Sequence, residues 1–251
     1  MEEQTTIEMQ KEMVLSPAEA EEYRAFKKQK RMEEAKSAIA RSEAEGAKRG
    51  LTLTELKKLC DGAVRVHAAA VRVYPNFVSP ARSFLGSSHV KVDCVVGGLG
   101  ETTTKVKAYE CKQARKLGAS EITLVLSPSM LKSGKSGEIK REIKKVVKAA
   151  KKAHVKVAAE GEWTVSELKK LARLVSDAGA KFLSAAYFTG AETLKKELAD
   201  CCMLEITGVK DPIDYKALCS SGVERLGTLS GEEIFSVLMK EAENDLPVVK
   251  A

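Results

Sequence analysis

The sequence predicts a single (β/α)8 TIM barrel carrying an extra N-terminal helix. Three observations carry this reading. The chain has 251 residues, and one such barrel usually needs about 250. From residue 51 onward, short apolar runs alternate with amphipathic segments at intervals of about 25–30 residues, the rhythm of a parallel sheet built from βα units. No G-x-G-x-x-G follows the first of these strands, which counts against an open dinucleotide-binding sheet.

The elements follow in order. Residues 1–50 read as a disordered tail and a charged helix, and 51–245 as the barrel. Ser16-Pro17-Ala18-Glu19 is a capping box with proline at the first helical position. No helix breaker follows until Gly46, so the spacing predicts one helix up to that point. Its apolar stripe is thin: Tyr23, Phe26, Met32, Ala35 and Ile39. A helix this polar gains little from burial alone and is a candidate docking element on the barrel or on a second copy of the chain, as expected of a homo-oligomer.

Thr52-Leu53-Thr54-Glu55 opens the next helix, which runs to about Val66. Strands are then expected at 68–74, 90–96, 121–127, 154–160, 180–187, 202–207 and 223–228. Helices are expected at 79–85, 102–117 (with Val106, Tyr109, Ala114 and Leu117 facing inward), 137–152, 164–179, 191–199, 211–220 and 230–243. That makes seven strands; an eighth has to come from around Ser37–Arg41, a segment that itself reads as helix.

Composition narrows the function. Hydrophobic residues make up 44% and charged residues 31%, as in ordinary soluble domains. The acidic, polar N-terminus does not look like an export signal, so a cytoplasmic protein with no membrane contact is expected. Six cysteines without a C-x-x-C pair read as reduced and buried, and neither a metal nor a cofactor is expected. The net charge of +7 is concentrated in the basic helix 137–152. No aromatic residues are interleaved there to stack bases, so nucleic acid is not the expected partner.

Several segments resemble deoxyribose-phosphate aldolases in order and spacing. They are AAVRVYPNFVSPARSFL (69–85), LGETTTKVKAYECKQARKLGASEITLVLSPSMLKSG (99–134), KVAAEGEWT (156–164), AGAKFLS (178–184) and RLGTLSG (225–231). The resemblance implies a class I aldolase, a carbon–carbon lyase that cleaves a deoxysugar phosphate through a Schiff base. It implies a nucleophilic lysine on the sixth strand, a second lysine on the seventh and an aspartate on the fourth. The nucleophile must be an unprotonated amine, so a nearby cation and partial burial must depress its pKa.

This chain departs from that pattern at all three places: Ser184 stands at the Schiff-base position, Glu205 at the second lysine and Thr123 at the aspartate. The phosphate grip is partly kept, with Gly208 after the seventh strand and Gly227, Thr228, Ser230 and Gly231 after the eighth. The expectation is an aldolase-like pseudoenzyme that binds a phosphorylated sugar or small aldehyde at the barrel mouth, with the Schiff-base reaction lost. Two alternatives stay open: a lyase using a relocated lysine such as Lys132, and a non-catalytic scaffold or regulatory subunit. Glu160, at the end of the fifth strand, could join Glu205 as a carboxylate pair; equally, these glutamates could pair with barrel cations such as Arg72. Lys105 and Lys107 read as surface charges.

Overall fold

The structure, a computed structural model, describes residues 16–159, 161, 163–198 and 202–244. Eight parallel strands close into a barrel in sequence order, β1 to β8. They are β1 Ser42–Glu45, β2 Ala70–Val73, β3 Lys91–Val96, β4 Glu121–Val125, β5 His154–Ala158, β6 Phe182–Ala186, β7 Met203–Thr207 and β8 Arg225–Thr228. The expected (β/α)8 barrel is the observed fold. The tail expected at 1–14 falls outside the described residues.

The first strand is where the sequence reading needs correction. Helix α1, Pro17–Ile39, starts on the capping box at Ser16 but stops six residues short of Glu45. The chain then turns directly into β1, so the barrel begins before residue 51. The segment SEAE has helix-forming composition, yet it pairs on both sides: Glu43 lies opposite Ala70 of β2 and Gly227 of β8. Without it the barrel would have two open edges, and closure outweighs a helix preference of a few tenths of a kcal/mol per residue, roughly. Helix α1 packs on the last helix, α10 (Gly231–Asn244). It buries Ala20, Ala35 and Ile39, while Tyr23 and Phe26 stay exposed.

The other helices keep the expected order. Capping boxes form at Thr52, ahead of α2 (Leu53–Arg65), and at Thr164, ahead of α7 (Val165–Asp177). Helix α3 is Val78–Leu85, α4 Thr104–Lys116, α5 Pro128–Lys132, α6 Ser136–Ala150, α8 Ala191–Leu198 and α9 Pro212–Ser220. The inward face of α4 differs from the expected one. Lys107, Ala108, Cys111 and Ala114 are buried, whereas Val106, Tyr109 and Leu117 are exposed. Lys107 is therefore not a surface charge. Its ammonium donates to the Val125 carbonyl at 3.0 Å and to Glu142 at 2.8 Å, so α4 is rotated to seat an ion pair between helix and barrel.

Alternation along the strands separates two interiors. Val71, Val73, Ile122, Leu124, Val155, Val157, Leu183, Leu204, Ile206 and Leu226 point outward and form the core against the helices. The intervening positions point into the barrel. In most TIM barrels branched apolar residues fill that space; here it holds Glu43, Arg72, Asp93, Glu121, Lys156, Glu205 and Arg225, all buried.

Candidate functional site

The inward charges form one network. Lys156 of β5 reaches across the barrel, and its ammonium contacts Glu43, lies 3.0 Å from both Glu121 and Glu205, and 3.4 Å from Asp93. Arg72 donates through Nε to Asp93 at 2.8 Å and through one terminal nitrogen to Glu205 at 2.5 Å, with Glu43 at 2.9 Å. Arg225 bridges Glu43 and Glu121 at 2.8 and 3.0 Å. Phe182 lies beneath, with Lys156 and Arg225 both over its ring.

Burial and ion pairing together set the protonation of this network. Glu43, Asp93, Glu121 and Glu205 face Arg72, Lys156 and Arg225, and Glu121 also meets the partly exposed Lys91 at 3.0 Å. An unmatched buried charge is expensive, so each carboxyl is biased by the cations it meets. Glu43 is the carboxyl that burial pushes well above the ordinary carboxylate range. Burial also acts to raise Glu205, but Arg72 and Lys156 outweigh it and hold Glu205 at about 2. Lys156 and Arg225 do the same for Glu121, also at about 2. For Lys156 itself, burial favours the neutral amine, yet Asp93, Glu205, Glu43 and Glu121 together raise its pKa above that of a free lysine. Lys156 is an ammonium, held as one.

Above this network, at the carboxyl ends of the strands, opens a cavity of about 460 Å³. Its floor carries Arg72, Thr123 and Ser184; its walls are Val95, Val125, Ala158, Ala185 and Ala186. The Thr123 hydroxyl donates to Asp93 at 2.6 Å, and Ser184 hydrogen-bonds to Glu205 beside it in the sheet. The rim is held in place by carboxylates on backbone and hydroxyl groups. Glu101 accepts from the Ser127 and Ser129 hydroxyls at 2.7 and 2.8 Å, and Glu110 accepts from the Gly97 N–H at 2.7 Å. Gly100 has a positive φ of 88°, and a Cβ there would sit 2.0 Å from the Leu126 carbonyl oxygen. Only glycine lets the β3 and β4 loops approach this closely.

Ser184, Glu205 and Thr123 thus come together inside the barrel, with Ser184 and Thr123 lining the cavity. Glu205 pairs with Arg72. Glu160 lies outside the described residues. Lys132 is exposed at the end of α5, away from the residues that line the cavity. Gly208 and Gly227 lie together at the mouth, but Glu45 of β1 is already there: its carboxylate accepts from the Gly208 N–H at 3.1 Å. A Cβ on Gly227 would meet that same carboxylate at 2.3 Å. Thr228 accepts from the Ser230 N–H at 3.0 Å, while the neighbouring Glu232 is drawn to Arg65 at 2.6 Å. Gly231 begins α10 with open space at its Cβ position apart from the Thr228 methyl.

Sequence reasoning missed Glu43, Asp93, Glu121, Lys156 and Arg225. A signal was present: Val71-Arg72-Val73, Val92-Asp93-Cys94 and Val155-Lys156-Val157 each set one charge between two apolar outward positions. In a strand covered on its outer face by helices, such a charge can only point into the barrel.

The DeoC/LacD family aldolase profile matches residues 29–244. The chain belongs to the DeoC/LacD aldolase family. The deoxyribose-phosphate aldolase of Thermoanaerobacter sp. (strain X514) is 36% identical over 197 residues, spanning 73% of this chain and 88% of that protein. The Staphylococcus carnosus (strain TM300) deoxyribose-phosphate aldolase is 32% identical over 203 residues, or 76% and 92% of the two chains. Among solved structures, the aldolase QR15 superposes with a TM-score of 0.76 at 26% identity, covering 81% of this chain and 96% of its own. The tetrameric deoxyribose phosphate aldolase of Aeropyrum pernix gives 0.70 at 22% identity, covering 84% and 94%, and so speaks for the fold alone. This family membership fits a barrel whose mouth, at the carboxyl ends of its strands, is the functional face. Among the described residues no helix is long and apolar enough to cross a membrane.

Proposed function

We propose that this member of the DeoC/LacD family holds a small sugar- or aldehyde-like molecule at the barrel mouth and does not process it through a Schiff base. One observation carries the reading. Among the described residues, Lys156 is the one lysine buried on a barrel strand, and four carboxylates keep it protonated. An ammonium has no lone pair with which to attack a carbonyl. The positions at which the family resemblance places the reacting groups hold Ser184, Glu205 and Thr123. A hydroxyl forms no imine, and Glu205 would raise the pKa of any amine placed beside it.

The test is borohydride reduction of the full chain in the presence of acetaldehyde or deoxyribose 5-phosphate, followed by intact mass and peptide mapping. The expected result is no ligand-dependent adduct. A stable adduct on Lys156, Lys132 or the cavity-lining Lys48 would overturn the reading and support a relocated nucleophile.

A docking role for α1 is the second reading, favoured by Tyr23 and Phe26, which stay exposed on a helix that buries Ala20, Ala35 and Ile39. The occupant we favour is a second copy of the chain. Sedimentation of a Tyr23→Ser/Phe26→Ser double variant tests it: an oligomer that persists unchanged excludes this face. Deletion is a poor substitute, because β1 begins at Ser42, immediately after the helix.

A further inference from the structure

We infer that Glu45 makes the barrel mouth selective for uncharged, hydroxyl-bearing molecules and turns phosphate esters away. This inference rests on the mouth being a ligand site, and it decides between the phosphorylated sugar and the small aldehyde that the sequence left open in favour of an uncharged molecule.

Three independent features converge on it. The first is occupancy. Gly208 (φ 78°) is a left-handed glycine at the mouth, and its N–H donor is already used by Glu45. The same carboxylate fills the space left by the missing side chain of Gly227. An incoming phosphate would have to displace a carboxylate that belongs to the protein, or stand against it as a like charge.

The second feature is charge. The cations among the residues lining the cavity are Lys48 and Arg72. Lys48 pairs with Glu55 at 3.0 Å, and Arg72 is shared among Glu43, Asp93 and Glu205. Neither has charge to spare, and Glu45 adds a carboxyl to the same wall. Burial raises the Glu45 pKa, while Arg72 and the Gly208 N–H act in the opposite direction.

The third feature is hydrogen-bond polarity. Thr123 and Ser184 line the floor and engage Asp93 and Glu205 below them. With its proton directed downward, each hydroxyl oxygen offers lone pairs to the cavity. Glu45 likewise presents acceptors. These acceptors recognise O–H donors, and the phosphoryl group of a phosphate-ester dianion has none. The exposed Leu99 and Leu229 at the rim suit a molecule without charge.

The experiment uses the full chain and its Glu45→Ala variant, with inorganic phosphate and 2-deoxyribose 5-phosphate as probes read by phosphorus NMR line width. The wild-type chain should leave both resonances sharp. Glu45→Ala, with the Gly208 N–H freed and the space beside Gly227 opened, should broaden them, with an apparent affinity about ten-fold or more above wild type. Glu45→Gln keeps the side chain's length and should gain less than Ala. If Glu45→Ala does not fold by circular dichroism, Glu45→Ser takes its place. Equal broadening by wild type and the opened variant overturns the inference, as does a folded opened variant that leaves both probes sharp. A borohydride adduct would sink the proposed loss of Schiff-base chemistry without touching this comparison, which reads binding alone.

Discussion

Replacing Lys156 by Met removes the cation on which the barrel interior is centred, and the size of the effect follows from charge balance. In the native protein Asp93, Glu121 and Glu205 are held ionised by Lys156 together with Arg72, Arg225 and, on Glu121, Lys91. Without Lys156 the cluster loses one positive charge, so one more carboxyl is expected to take up a proton. An ordinary carboxyl titrates at 4.5. Keeping one protonated at about pH 7.5 spans roughly three decades, so the variant should lose about 4 kcal/mol. That lies within the roughly 3–5 kcal/mol typical of breaking a buried ion pair from one side. At about pH 5.5 the same proton spans about one decade, and the loss should shrink to about 1 kcal/mol. The sign is distinctive. A carboxyl whose folded pKa is raised costs stability above its unfolded value, so the variant recovers relative to wild type as pH falls. Urea unfolding followed by circular dichroism at the two pH values measures it. A penalty that is equal at both, or absent at the higher pH, would refute the ionised network.

Four further outcomes follow from the same structure. Glu205 and Glu121, each held at about 2 against an ordinary 4.5, contribute stability that is complete above about pH 4.5 and fades as pH falls toward 2; each should give up about 3 kcal/mol, seen as steep acid unfolding in that window. Lys107→Met strands the Val125 carbonyl and Glu142, and should cost about 2–4 kcal/mol in urea unfolding. Gly100→Ala combines a φ of 88° with a Cβ 2.0 Å from the Leu126 oxygen; calorimetry should show a Tm lowered by about 6–12 °C, the equivalent of about 3 kcal/mol in a chain this size. Ser184→Lys restores an amine at the position beside Glu205 but should yield no borohydride adduct with acetaldehyde at neutral pH, because that carboxylate keeps it charged; a mapped adduct on the new lysine contradicts this.

Much of the fold was legible because the outer faces of the strands obey a local rule. Valine, isoleucine and leucine recur at every second position, and capping boxes at Ser16, Thr52 and Thr164 mark helix starts in four residues each. The first strand was not legible, because nothing local distinguishes SEAE from the helix before it. Its identity comes from pairing with residues some 30 and 180 positions away, at Ala70 and Gly227. Helix α4 was misjudged for a related reason. Its most hydrophobic face is exposed because Lys107 finds both a carbonyl and a carboxylate on the other side. The candidate site was legible in that the three positions singled out in the sequence, Ser184, Glu205 and Thr123, lie together inside the barrel. It was illegible where it adds partners, since Lys156, Asp93 and Glu43 acquire their meaning only when five strands bring them within hydrogen-bonding distance.

The sign of the interior field links these observations. A lysine that attacks carbonyls needs surroundings that make its charged form costly: burial without a carboxylate, or a second cation nearby. The barrel interior here supplies the burial and then reverses its effect with carboxylates from β1, β3, β4 and β7, so Lys156 is stabilised as a cation despite being fully enclosed. A single substitution does not invert that field. Removing Glu205 leaves Asp93, Glu43 and Glu121 around the same ammonium. Any amine introduced into the network therefore meets a carboxylate first. The same acceptors reach the cavity through Thr123, Ser184 and Glu45, so the proposed loss of amine catalysis inside the barrel and the proposed preference for a neutral hydroxyl donor at its mouth share one origin.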